Sequence, residues 1–75
     1  MLNDKIRNHI DTIRNIESGI GALQRDMAIA NVLANGEFSK EGVELRRKID
    51  TRITELNTRR YKALIELDEM LKGAE

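Results

Sequence analysis

The chain has 75 residues, about 8.6 kDa, with thirteen Lys/Arg, thirteen Asp/Glu, one His, and no Cys, Pro or Trp. One domain fits this length. Without Cys, and with a single His, there is no disulfide framework and no zinc ligand set, so neither a metal nor another cofactor is expected. A net charge of zero gives no global attraction to nucleic acid or anionic membrane, and no apolar run reaches the roughly 18–20 residues of a membrane span.

The opening, MLNDKIRNHI, has no apolar stretch of the kind a secretory leader carries, so a cytoplasmic location is expected. From there the pattern is helical. One row of heptad spacing runs Ile6, Ile13, Ile20, Met27, Ala34; a second runs Leu2, His9, Ile16, Leu23, Ala30. Every member but His9 is apolar, and strand-like alternation is missing. A first helix is predicted over about 3–35. Within it, Ser18-Gly19-Ile20-Gly21 is a local conflict, because interior glycines cost roughly 1 kcal/mol each against alanine. The segment reads as a tolerated weak spot or kink at 18–21, as a place for close approach by another helix, or as a break.

A loop follows at 36–38. Gly36 suits the left-handed position past a helix end, Ser39 suits an N-cap, and Phe38 and Val43 have the spacing of a hydrophobic staple. The second helix is predicted over about 39–72. Its rows are Ile49, Leu56, Ala63, Met70 and Ile53, Arg60, Leu67, Ala74, with Leu45, Leu64 and Leu71 widening the stripe. Opposite charges at i,i+4 (Arg7–Asp11, Glu44–Lys48, Glu55–Arg59, Lys62–Glu66 and Asp68–Lys72) read as a solvated helix face.

A short loop makes the two helices antiparallel. The fold class is therefore all-α: an antiparallel two-helix hairpin, forming a single domain over 1–75. A stripe wider than a two-position seam needs a second layer. A homo-oligomer is expected, most simply a dimer forming a four-helix bundle. Its core would comprise Ile6, Ile13, Ile16, Ile20, Leu23, Met27, Ile49, Ile53, Leu56, Leu64, Leu67 and Met70.

Two polar residues interrupt the core rows. His9 reads as a boundary histidine held by one polar neighbour, or as a pH-sensitive or ligand-binding imidazole. Arg60 reads as a side chain that snorkels outward, as a polar layer that sets register, or as an anion-binding group between protomers. Residues 40–62 carry eight Lys/Arg against four acids, a local excess of four positive charges. Arg46, Arg47, Arg52, Arg59 and Arg60 are the candidate partner- or anion-binding residues there, though Tyr61 is the only nearby aromatic for base stacking.

No Ser/His/Asp grouping, converging carboxylate pair or phosphate loop follows from the spacing, so no catalytic residue is assigned and no enzyme is expected. The phrase Glu44-Leu45-Arg46-Arg47-Lys48-Ile49-Asp50 is similar to the first helix of the all-helical chorismate mutases. The spacing from Arg46 to Arg59 or Arg60 is shorter than in that family, and no family is assigned. The expected function is non-catalytic: an oligomeric adaptor, regulator or inhibitor of a larger protein partner, of the size that phages and plasmids encode. The alternatives are a nucleic-acid-binding regulator using the basic stripe, and a binder of a small anionic ligand between protomers. No membrane partner is expected.

Overall fold

A computed structural model of the chain describes residues 3–36 and 39–73. Leu2, Glu37, Phe38 and Ala74, and with them the staple between Phe38 and Val43, lie outside the described residues. Two helices make up the fold, α1 over Asp4–Ala34 and α2 over Ser39–Gly73, and they pack against each other as an antiparallel hairpin.

Asn3 starts α1. Its backbone is extended and its Oδ1 accepts from the Ile6 N–H at 2.8 Å, satisfying one of the free amides of the first turn. Asp4 adds a carboxylate at the positive end of the helix dipole. Gly19 and Gly21 do not break the helix: α1 is one continuous element through both. At its far end the Asn35 N–H bonds the Asn31 carbonyl and the Gly36 N–H bonds the Leu33 carbonyl at 3.3 Å, a tightened last turn. Among the described residues no glycine has a positive φ, so Gly36 is not the left-handed residue that its position suggested. Ser39 is the first residue of α2 rather than the residue before it.

One row from each helix makes the seam. Ile6, Ile13 and Ile20 of α1 are buried against the row of Ile49, Leu56 and Ala63 in α2, and Met27 and Met70 are half-buried toward the two ends. The neighbouring rows, Ile16 and Leu23 in α1 and Ile53 and Leu67 in α2, are only half-buried. At the loop end the residues are small. Ala30 is wholly enclosed, and a Cβ placed on Gly42 would stand 2.5 Å from the Ala34 nitrogen and 2.5 Å from the Leu33 carbonyl carbon. The backbones of the two helices therefore meet where α2 begins, and only glycine fits there. Gly19 is the milder counterpart, its missing Cβ facing Leu56 Cδ1 at an ordinary 3.5 Å.

The result is a rod of 57 × 16 × 11 Å with a radius of gyration of 16.9 Å. A compact domain of this length has a radius of gyration near 11 Å. Among the described residues no large side chain is fully buried.

Candidate functional site

Two interhelical polar contacts fix which residues share an edge of the rod. His9 Nε2 lies 2.7 Å from the Ala63 carbonyl oxygen and 3.7 Å from Glu66 Oε2. A carbonyl only accepts, so Nε2 carries the proton and donates across the seam. Arg60 Nη1 lies 3.7 Å from Glu17 Oε2. Glu17 and His9 flank the buried α1 row on opposite sides, as Arg60 and Glu66 flank the buried α2 row. The two contacts therefore mark opposite edges.

Heptad spacing extends each edge. Along the Arg60 edge, moving seven residues in opposite directions brings Ile10 level with Leu67 and Gln24 level with Ile53. Along the His9 edge it brings Ile16 level with Arg59, Leu23 with Arg52 and Ala30 with Leu45. Arg59 and Arg52 thus have their stems beside half-buried apolar residues, a normal use of a long cationic side chain.

The five arginines singled out from sequence do not share one face. Arg52 and Arg59 stand on the His9 edge, Arg46 and Arg60 on the other, and Arg47 points outward with Lys48 and Thr51 along a shallow groove of α2 itself. Arg52 is held at 3.0 Å by Glu55 of its own helix, and both groups are exposed. Of the five expected i,i+4 pairs, Asp68–Lys72 forms at 3.0 Å; Glu55 turns to Arg52 and Glu66 to His9 instead. Such exposed pairs contribute little, about 0–1 kcal/mol.

His9 and Arg60 differ in environment. The His9 side chain is 18% exposed, with its donor satisfied by backbone; Arg60 is 42% exposed and keeps its guanidinium at the rim. Among the described residues no three His, Cys, Asp or Glu converge on a point that could hold a metal ion. Thr12, Thr54 and Thr58 donate to carbonyls four residues back in their own helices, so these hydroxyls are engaged locally. The surface depressions are open to solvent. A depression that joins both helices lies at the free ends, among Asn3, Lys5, Ile6, Met70 and Gly73. No described helix is long and apolar enough to cross a membrane.

What the hairpin presents most distinctly is apolar surface. Tyr61, Leu64, Ile65 and Leu71 are exposed on the last third of α2, and Ile29, Val32, Val43 and Leu45 near the loop. Sequence spacing marks Leu45, Leu64 and Leu71 as flanking residues; Tyr61 and Ile65 join them only because the structure leaves that side of α2 uncovered. No protein-family model, curated protein or solved structure matches the chain.

Proposed function

We propose that the chain is a non-catalytic helical module that self-associates, with a dimer as its basic unit, and acts by binding a larger protein as an adaptor, regulator or inhibitor. The observation that supports this reading is surface. The chain exposes 5938 Å². A compact protein of its mass exposes about 4,700 Å². The excess is about 1,200 Å², and eight large apolar residues contribute to it while none is fully buried among the described residues. Such surface drives association.

The test is thermal unfolding followed by helical circular dichroism at several protein concentrations. An assembly that binds folded chains together gives a midpoint that rises with concentration. A fully helical chain whose midpoint is independent of concentration across the micromolar range contradicts self-association. The nucleic-acid reading has less support, because the basic residues of α2 are divided between two edges and an outer face.

A further inference from the structure

We propose that the edge carrying Ile10, Leu64, Leu67 and Leu71, at the free-end half of the hairpin, is the surface on which a second copy of this chain docks. The inference rests on the self-association reading and adds the face and its symmetry. Arg60, Leu64, Leu67 and Leu71 follow one another by four, three and four residues, so they line one face of α2. Arg60 touches Glu17, which places that face on the α1 edge where Ile10 stands one heptad before Glu17. Leu64 and Leu71 are each 43% exposed, and Ile10 and Leu67 are half-buried. Tyr61 lies one turn before Leu64 and Ile65 and is also exposed, so the apolar arc continues around the helix. Among the described residues nothing in the hairpin covers this arc.

Toward the loop the Glu17–Arg60 pair interrupts the patch; beyond that pair the same edge carries the polar residues Asn57, Gln24, Asp50 and Asn31, with half-buried Ile53 among them and exposed Val43 near the loop. Its margin carries both signs: Arg7, Asp11 and Arg14 surround Ile10 on α1, and Lys72 bonds Asp68 on α2. A patch that meets its own copy must be self-complementary. An apolar centre with a margin of mixed sign satisfies that condition, whereas a margin of one sign would repel its copy. The net charge of zero adds no global repulsion. A standard interface removes about 800 Å² from each partner, and the excess of about 1,200 Å² carried by the whole chain, free end and loop end together, is larger than that. A two-fold axis across the free ends would place the Leu64 and Leu71 side chains of both copies in one layer, with the polar pairs outside.

The experiment is sedimentation equilibrium of the full chain, of Leu64→Glu/Leu71→Glu, and of Ile29→Glu/Leu45→Glu, each checked for helicity by circular dichroism. Ile29 and Leu45 belong to the loop-end apolar surface, Leu45 on the opposite edge. The expected result is a dimeric parent, a dimeric loop-end variant, and a free-end variant that stays helical but dissociates at least tenfold more readily. A free-end variant that dimerises like the parent overturns the proposed face and leaves self-association standing. Dissociation of both variants, or growth beyond the dimer, means head-to-tail contact between the two ends and also overturns it. A monomeric parent at every concentration overturns the face and the self-association reading together. If Leu64→Glu/Leu71→Glu loses helicity, Leu64→Gln/Leu71→Gln carries the same comparison.

Discussion

His9 and Gly42 show how single residues lock the hairpin. The imidazole of His9 donates to the Ala63 carbonyl at 2.7 Å, a bond from one helix to the backbone of the other. Removing it leaves that bond unmade in a part-buried setting, so His9→Ala is expected to cost about 1 kcal/mol in urea unfolding. Unchanged stability would mean that water replaces the imidazole without loss. Gly42 works by having no side chain. A methyl group there meets the Ala34 nitrogen and Leu33 backbone at 2.5 Å, so Gly42→Ala is expected to destabilise by about 1–3 kcal/mol through forced separation of the helix ends. Gly21 is the contrasting case. Its Cβ position is open, with the Arg25 guanidinium 3.9 Å away, so Gly21→Ala is expected to stabilise the helix by about 1 kcal/mol in the same measurement. Glu17 and Arg60 are too exposed for their pair to matter much to the isolated hairpin, and Glu17→Gln is expected to change its stability by less than about 1 kcal/mol.

At the scale of the helices, the hydrophobic rows were readable from the sequence because a seven-residue spacing has few alternatives in a Pro-free chain. Ile6, Ile13 and Ile20 come to lie in the seam with Ile49, Leu56 and Ala63. His9, Ile16 and Leu23 in one row and Ile53, Arg60 and Leu67 in the other are only half-buried, a distinction that depends on how the two helices rotate against each other and not on either sequence alone. Gly42 was illegible for the same reason. Its meaning comes from Leu33 and Ala34 across the turn, and glycine near a helix start reads as neutral until the partner is in place. The loop chemistry was misleading at Gly36, where the chain closes the last turn of α1 with a bond from Gly36 to Leu33 and needs no left-handed residue. The continuity of α1 through Gly19 has a packing basis: Leu56 fills the space in front of it.

The whole molecule is a thin rod with an incomplete core. Its charges are divided, with Arg52 and Arg59 on one edge and an apolar patch interrupted at Arg60 on the other. That division was also beyond the sequence, where residues 40–62 read as one basic stripe. With the arginines spread around α2, binding to mixed-sequence RNA or DNA is expected to be weak at low salt and lost on raising the salt, as phosphate contacts require. Tight binding that survives physiological salt, measured by fluorescence anisotropy, would favour a nucleic-acid partner over a protein. The central claim is that the exposed apolar surface is covered by a second chain. Native mass spectrometry of the purified protein at low micromolar concentration tests it most directly. The expected result is a species of twice the 8.6 kDa chain mass with no retained ligand. A bare 8.6 kDa monomer that is fully helical in the same solution would contradict it.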